Sequence, residues 1–364
     1  MSDIPDISII LITAREAYNT IIGLPETHIL GPCIESLRYQ TFKDFELIVV
    51  DSLHEYRTRM FEGEPFGEIP FPVRHVPVHP NHRFWLNRRR FNASGAMNTG
   101  FLYAEGELVV KMDDCCQFGP DLLERMWEEY QSGYFPMVMH TRYRGGKQAY
   151  FDKEYKEKGY EVKATETAHH QPQVEKELSL KVLSEVYPDG APIRDSRWNK
   201  VETAGGRLIG EHNQFYGYSG FSLDAALKVN GFDELLDGDT SQMDVDFGVR
   251  LWFAGYQKMF ILDKDMWVIE HEHGPVSSKV IDLPCENIKC NHAVMLNSIN
   301  RNHWRAHSYE LTEKEIEEIV AETLRPPCSP NQGMFQDDCK GPLFNLWKEH
   351  KPIFSLRDER VDIL

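Results

Sequence analysis

Two adjacent carboxylates, Asp113 and Asp114, stand where an apolar segment gives way to a turn. Residues 107–112 have the pattern of a short buried strand, and residues 120–124 begin an amphipathic helix after a Gly-Pro break. A carboxylate pair at the end of a strand can hold a divalent cation through its oxygens, and the cation can neutralise a diphosphate. A solvated Asp-Asp turn explains the same residues, so both interpretations stay open here.

Two more acids, Asp244 and Asp246, lie in the first turn of a predicted buried helix over residues 243–253. The helix dipole favours negative charge at that end and helps to keep the carboxylates ionised. An ionised carboxylate can take the proton of a hydroxyl group while that hydroxyl attacks an electrophile. Helix capping is the alternative role for both residues.

His271 and His273 are separated by one residue in a predicted strand, where alternate side chains face the same side. Both imidazoles can therefore point into one pocket as metal ligands, or both can be structural groups. A basic segment over residues 82–90, which includes Arg88 and Arg90, interleaves arginines with aromatic rings. Such a segment can bind phosphates and stack on bases, or it can be a solvated basic face.

The surrounding elements predict a parallel sheet. Residues 7–12 and 45–51 are nearly continuous apolar runs, residues 33–39 form a helix between them, and residues 73–78 form a third strand. The second strand ends at Asp51, a position from which an acid commonly accepts hydrogen bonds from a ribose or a base. A turn or a helix cap is an equally good interpretation of that residue.

Composition limits the classes of protein that need to be considered. The chain has 364 residues, of which 41% are hydrophobic and 12% aromatic, so it can bury a large core. Its formal net charge of -17 argues against a broad nucleic-acid surface. Seven scattered cysteines make a poor disulfide framework, and a zinc site that includes Cys285 and Cys290 is a minor alternative. Without a signal-peptide pattern or a membrane-spanning run, we expect a cytoplasmic protein.

Four ordered blocks, at residues 40–52, 98–107, 113–115 and 231–256, resemble family 2 glycosyltransferases. QTFKDFELIVVDS at residues 40–52 resembles the family's QT(Y/F)xxFE(I/L)IVVDD segment, and NTG with AEGE at residues 98–107 resembles RNxGxxxAxGE. Asp113-Asp114-Cys115 falls at the DxD motif, and GFDE with DVDFGVRL and AGY, at residues 231–256, resembles the GFDE and EDxDLxxRLxxxGY block. Three departures stand out: Met97 replaces arginine, Cys115 replaces the second acid of DxD, and Met243 replaces a glutamate.

The resemblance implies a GT-A fold, which is an α/β fold with a Rossmann-like nucleotide-binding half on a mixed, mostly parallel sheet. We expect a catalytic domain over residues 1–275, with a nucleotide-sugar half at 1–125 and an acceptor half at 126–275. A charged insertion near residues 150–182 would belong to the acceptor half. Residues 276–364 lie outside the resemblance and are predicted to form a helical C-terminal extension, with a capping box beginning at Thr312.

The resemblance also implies an activity and a site. The activity is inverting transfer of a hexose or pentose from a nucleotide diphosphate, UDP by family habit, with Mn²⁺ or Mg²⁺. Asp244 would be the base, with Asp246 as the second candidate, and Arg88 and Arg90 would assist with the phosphates. The implied donor-binding residues are Thr13, Ala14, Arg15, Asp51, Asn98 and Asp113. The implied metal ligands are Asp113, Asp114, His271 and His273.

Two other functions fit parts of the sequence. A nucleotidyltransferase uses a similar sheet but has no need of the helix that carries Asp244. A catalytically silent protein that binds sugar nucleotides or glycans is suggested by Cys115 and Met97. The acceptor is open among a protein, a glycan, a lipid-linked intermediate, a small molecule and a modified base in DNA, of which the net acidity disfavours the last.

Overall fold

The computed structural model describes residues 4–21, 26–63, 65–144, 202–204, 207–210, 215, 217–238, 242–256, 259–261, 267–271, 273–281, 295, 304–306, 314 and 355–363. The strands of this part of the chain are β1 (Ile7–Thr13), β2 (Phe45–Asp51), β3 (Val73–Pro77), β4 (Leu108–Asp113), β5 (Cys116–Phe118), β6 (Met137–Val138), β7 (His140–Arg144), β8 (Glu202–Ala204), β9 (Arg207–Gly210), β10 (Ser219–Ser222), β11 (Met259–Ile261) and β12 (Trp267–His271). Its α-helices are α1 (Gly31–Arg38), α2 (Ala93–Tyr103), α3 (Leu122–Gln131), α4 (Leu223–Lys228), α5 (Met243–Phe253) and α6 (Leu356–Val361).

The main sheet has the order β3-β2-β1-β4-β10-β6-β11-β9-β8. Its first four strands are parallel, and β1 lies between β2 and β4. Strand β1 is buried on both faces, as its continuous apolar sequence predicts, because helices cover both sides of the sheet. The carboxyl ends of β1 and β4 lie side by side, with Ile12 opposite Asp113, and this register places the acidic turn next to Thr13.

The sheet changes direction at β10, which pairs antiparallel with β4 and places Ser219 opposite Lys111. A second sheet, in the order β5-β12-β7, begins directly after the acidic turn and pairs Glu270 with Cys116. The segment over residues 137–144 is divided between the two sheets. Its first part is β6 in the main sheet, and its last part is β7, which pairs with β12.

Two apolar clusters lie on opposite faces of the main sheet, because alternate residues of a strand point to opposite sides. Ile9 and Leu11 of β1 join the cluster that contains residues of α1 and α3. Ile10 joins the other cluster, to which α2, α4, α5 and α6 contribute. Because β1 and β4 are fixed from both sides, their polar ends are held in place by a rigid core.

The end of the chain returns to the first half of the molecule. Helix α6 contacts α2, and Arg360 donates a hydrogen bond from Nη1 to the carbonyl oxygen of Leu102 at 3.2 Å. Of the predicted helical extension, α6 is therefore observed, whereas the charged insertion and nearly all of the helix predicted after Thr312 lie outside the described residues. No helix in the described part has the length and apolarity needed to cross a membrane. The domain boundary at residue 275 stays a prediction.

Candidate active site

A cavity of about 220 Å³ opens at the carboxyl ends of β1 and β4. Parallel α/β sheets commonly bind ligands at this edge, where strand ends and the following loops leave polar groups exposed. The cavity combines predicted and unpredicted residues from distant parts of the chain. The polar and charged residues that line it are Thr13, Arg15, Ser52, Arg90, Asn92, Lys111, Asp113, Asp114, Asp244, Glu270 and His273.

The acidic turn between β4 and β5 depends on Cys115, which adopts a left-handed conformation with φ of 63°. Its side chain is fully buried in the apolar cluster, and its carbonyl oxygen accepts a hydrogen bond from His271 N at 2.9 Å. Burial raises the pKa of the Cys115 thiol well above its ordinary value. The residue at the second acid of the DxD motif is therefore a neutral thiol that faces the core.

Asp114 is buried at the same turn and has both carboxylate oxygens engaged. Thr13 Oγ1 donates a hydrogen bond to Oδ2 at 2.8 Å, and Arg15 Nη1 forms an ion pair with Oδ1. Arg15 is fixed from a second side, since its Nε donates to the carbonyl oxygen of Gly274 at 3.0 Å. Asp114 thus joins the end of β1 to the acidic turn.

Asp113 differs from Asp114, because its side chain is 38% exposed in the cavity. Lys111 lies 3.6 Å from Asp113 Oδ1, measured from Nζ, and the same nitrogen is 3.3 Å from Oδ1 of Asp244. Burial alone lowers the pKa of Lys111, but the two carboxylates outweigh it and raise the pKa above its ordinary value. The buried ammonium of Lys111 therefore lies between Asp113 and the candidate base Asp244.

Asp244 reaches the cavity from the first turn of α5. Its side chain is 21% exposed, and Gly217 N donates a hydrogen bond to Oδ2 at 3.3 Å. Burial raises the pKa of Asp244 above its ordinary value, while the positive charge of Lys111 opposes that rise. A carboxylate that is desolvated and also held ionised by a cation is well suited to accept a proton.

Asp246, the second candidate base, is placed differently. Its carboxylate lies 2.7 Å from Nε of Arg250, one helical turn later, and both side chains are almost fully buried. Arg250 also donates from Nη1 to the carbonyl oxygens of Val229 and Gly231. The contacts of Asp246 are those of a structural ion pair, and it is not among the residues that line the cavity.

The two predicted histidines do not face one pocket. His271 is buried, with Nε2 3.0 Å from Gln117 Oε1, whereas His273 lines the cavity. His273 Nε2 lies 3.4 Å from Arg15 Nη2 and 3.6 Å from Glu270 Oε1. The difference arises because β12 ends at His271, so the alternation of a regular strand does not extend to His273.

The four predicted metal ligands do not form one ligand set. In the described part of the chain, the group whose ligand atoms converge and can hold a metal ion consists of His79, His82 and Glu359, outside this cavity. At the acidic turn, Asp114 is engaged by Arg15, and the cavity already contains the Lys111 ammonium beside Asp113. A divalent cation prefers free carboxylate oxygens, so these residues do not fit one as they stand. The cysteines of the alternative zinc site, Cys285 and Cys290, lie outside the described residues.

Two predicted donor contacts lie outside the cavity lining. Asp51 is fully buried, and its carboxylate accepts hydrogen bonds from Arg57 at 2.6 and 2.7 Å and lies 2.9 Å from His75 Nε2. Asn98 exchanges two hydrogen bonds with the backbone of Phe232 and donates a third to Glu234 Oε1 at 2.8 Å. Asn98 therefore holds α2 against the GFDE segment.

The rest of the predicted set is divided between cavity and surface. Thr13, Ala14 and Arg15 line the cavity together with Arg90. Arg88 instead lies over the Phe84 ring at 3.8 Å. Sequence reasoning missed Lys111 and Glu270, although a lysine within an apolar strand, two residues before an acidic turn, was a usable signal.

Comparison with known families agrees with this geometry. The sequence model of the family described as Glycosyl transferase family 2 matches residues 78–187, the segment that contains α2, β4 and the acidic turn. This segment of the chain is therefore similar to family 2 glycosyltransferases. Together with the parallel strands that meet an antiparallel β10, this match confirms the expected GT-A fold. It supports a glycosyltransferase as the class of enzyme.

Several solved structures are similar at low identity. S. aureus TarS shares 13% identity over 98% of this chain and 54% of its own, with a TM-score of 0.41. S. aureus TarS 1-349 in complex with UDP shares 11% identity over 98% of this chain and 89% of its own, with a TM-score of 0.43. A mycobacterial protein shares 12% identity over 83% and 76%, with a TM-score of 0.38. The chain spans about half the length of the first of these proteins, and a comparison with curated proteins found no match.

Proposed function

We propose that the chain is an inverting glycosyltransferase that moves a sugar from a nucleotide diphosphate to an acceptor hydroxyl. The observation that carries this proposal is the ammonium of Lys111, which lies within 3.6 Å of both Asp113 and Asp244. It joins the acid of the donor motif to the acid of the acceptor helix in one cavity. A UDP-sugar is the first donor to test, on the family resemblance.

In the proposed reaction the ionised carboxylate of Asp244 accepts the proton of the acceptor hydroxyl. The hydroxyl oxygen forms a bond to the anomeric carbon while the bond from that carbon to the diphosphate oxygen breaks. Attack from the face opposite the leaving group inverts the anomeric carbon, and the diphosphate leaves with the bonding electrons. A positioned general base typically contributes about 10²–10⁴-fold to the rate.

The departing diphosphate needs positive charge beside it. The resemblance implies Mn²⁺ or Mg²⁺, but Asp114 is engaged by Arg15 and Thr13, and the Cys115 thiol faces the core. We therefore assign this charge to the side chains of Arg15, Arg90 and Lys111, which line the same cavity. Lysine and arginine are effective partners of phosphate oxygens.

The alternatives make different predictions for the same cavity. A silent sugar-nucleotide or glycan-binding protein would bind a donor without turnover, and a nucleotidyltransferase would release diphosphate instead of a nucleoside diphosphate. The orientation of Asp244 into the cavity favours the transferase, because transfer to an acceptor hydroxyl uses a positioned base and a protein that only binds the donor does not. The type of sugar, the acceptor and the cytoplasmic location stay predictions.

Donor binding and hydrolysis across a panel of nucleotide sugars test this proposal. We expect one nucleotide sugar to bind, and its affinity in EDTA to lie within about threefold of that in Mn²⁺ or Mg²⁺. We expect Asp113→Ala to weaken donor binding about tenfold, since a hydrogen bond to a charged group is lost. Isothermal titration calorimetry gives the affinities, and chromatography of the released nucleotide gives the turnover.

Two results of the panel would contradict the proposal or part of it. If no nucleotide sugar binds in any of the three buffers, the proposed function is wrong. If a donor binds only with a divalent cation, the transferase stands and the assignment of the diphosphate charge to Arg15, Arg90 and Lys111 is wrong.

A separate prediction concerns the pH profile of a Lys111→Met variant. The ammonium 3.3 Å from Asp244 stabilises the ionised carboxylate, so its removal raises the pKa of Asp244. Since the ionised form is the active base, we expect the acid limb of kcat/KM to move to higher pH. The matched control is Lys43→Met, at an exposed lysine that donates to a backbone carbonyl oxygen. If the acid limb does not move in Lys111→Met, then Lys111 does not affect the pKa of the catalytic base.

A further inference from the structure

A second group of ligand-type side chains lies outside the cavity, between the turn that follows β3 and helix α6. His79 precedes a short 3-10 turn, Pro80–His82, whose last residue is His82, and Glu359 lies in α6. One ligand atom from each of the three lies within 4.8 Å of the other two. The arrangement brings together residues that are almost 280 positions apart in the chain, and none of them is used in the proposed reaction.

The orientation of the His82 ring is fixed by a carboxylate on one side. Nδ1 of His82 lies 2.6 Å from Glu234 Oε1, and because that oxygen can only accept, Nδ1 carries the hydrogen. In neutral His82 this leaves a lone pair on Nε2, which is fully buried and has no hydrogen-bond partner. The atom that Nε2 faces is Glu359 Oε2, at 3.2 Å. Two acceptors at this distance repel each other unless a cation lies between them.

Glu359 and His79 also each have a buried atom without a hydrogen-bond partner. Asn81 Nδ2 donates a hydrogen bond to Glu359 Oε1 at 2.7 Å, while Oε2 of the same carboxylate is buried and has no hydrogen-bond partner. Nδ1 of His79 is also buried without one. Each of the three side chains in this group thus has one buried atom without a hydrogen-bond partner. Each buried polar atom of this kind costs free energy unless something binds it.

We propose that His79 Nδ1, His82 Nε2 and Glu359 Oε2 bind a divalent transition-metal ion, most readily zinc. Two histidines with one carboxylate are a common zinc ligand set, and water can supply a fourth ligand. Zinc bonds of about 2.0–2.1 Å at a tetrahedral angle separate two ligand atoms by roughly 3.3 Å, close to the 3.2 Å observed between Nε2 and Oε2. Glu234 and Asn81 are the outer hydrogen-bond partners that orient metal-bound histidine and carboxylate groups.

The proposed ion has a structural role, because it connects helix α6 to the segment between β3 and α2, which contributes Asn92 to the cavity. The carbonyl oxygen of His82 accepts a hydrogen bond from Asn92 Nδ2 at 3.1 Å, and Asn92 lines the cavity. Helix α6 has only six residues and carries one of the three ligands. A metal bond to Glu359 would add a strong connection where the buried apolar contacts of α6 are few.

Metal binding is tested on the full chain without an affinity tag, after metal has been removed with a chelator and the chelator dialysed away. Zinc is then titrated in competition with a chromophoric chelator. We expect one zinc ion per chain whose affinity falls at least tenfold in Glu359→Gln and in His79→Asn. The matched control is Asp358→Asn, at an exposed acid next to the ligand in α6. Its zinc affinity should equal that of the unchanged protein.

Two further readouts separate this site from the cysteines and from a structural effect of the variants. Cobalt bound at the proposed site should lack the thiolate charge-transfer band that cysteine ligands give, since its ligands are nitrogen and oxygen. Zinc should raise the Tm of the unchanged protein and of Asp358→Asn but not of Glu359→Gln, because an ion that binds only the folded state stabilises it. Circular dichroism before the titration establishes that each variant is folded.

The alternative to a metal ion at this site is a second proton on the His82 ring. Burial lowers the pKa of His82, but Glu234 and Glu359 outweigh it and raise the pKa to about 9. If no zinc binds to the unchanged protein, or if both ligand variants bind it as tightly as Asp358→Asn does, the metal site is wrong and the group is an imidazolium between two carboxylates.

Discussion

Asp244→Asn should reduce kcat by about 10²–10⁴-fold, the usual contribution of a general base, while leaving donor affinity within about threefold. The amide has nearly the same shape as the carboxylate but cannot accept the hydroxyl proton. Its place near Lys111 and Gly217 N is retained, so the cavity should keep its form. Steady-state kinetics with a confirmed donor gives kcat, and calorimetry on the same preparation gives the donor affinity.

The control for this variant is Asp224→Asn in helix α4. Asp224 is also in the first turn of a helix, but its side chain is 70% exposed, and its charged partner Arg357 is a surface residue. The same loss of one negative charge should therefore leave kcat unchanged. If Asp244→Asn kept more than a tenth of the activity, another group would have to be the base.

Asp246→Ala should change stability, whereas Asp244→Asn changes kcat. We expect Asp246→Ala to lower the free energy of unfolding by about 3–5 kcal/mol, the usual cost of breaking a buried ion pair. Arg250 is fully buried, and its Nε would lose the carboxylate that now lies 2.7 Å away. The burial of a positive charge without its counterion is costly in a medium of low polarity. Urea unfolding followed by circular dichroism measures the loss.

The chain contains a matched control for this pair on its surface. Asp121 and Arg125 have the same spacing of four residues at the start of α3, but they lie 4.0 Å apart with about half of each side chain exposed. Asp121→Ala should therefore cost less than about 1 kcal/mol, because water screens exposed pairs. A stable Asp246→Ala protein with greatly reduced kcat would move the role of base from Asp244 to Asp246.

Local pattern was sufficient for the main elements near the site. Strand β2 and helix α5 have the predicted bounds, because apolar runs and helical spacing are properties of neighbouring residues. The ordered family blocks led to the cavity edge, where Thr13, Arg15, Asp113 and Asp244 meet. The division of residues 137–144 between two sheets could not be seen in this way, since it depends on β10 and β12, which come from distant parts of the chain.

The sequence by itself determined the fold class, the acidic turn and the two acids of α5 as candidates. Only the tertiary structure decided which acid faces the cavity. Residues two positions apart on a helix point about 200° apart, so the packing of Phe247 and Leu251 into the core fixes the direction of both acids at once. The same reason explains Lys111, which meets Asp244 across 133 positions of chain because β4 and α5 are held by one core. The sequence shows that β4 contains a charged residue, but only the tertiary structure shows which carboxylate stabilises that charge.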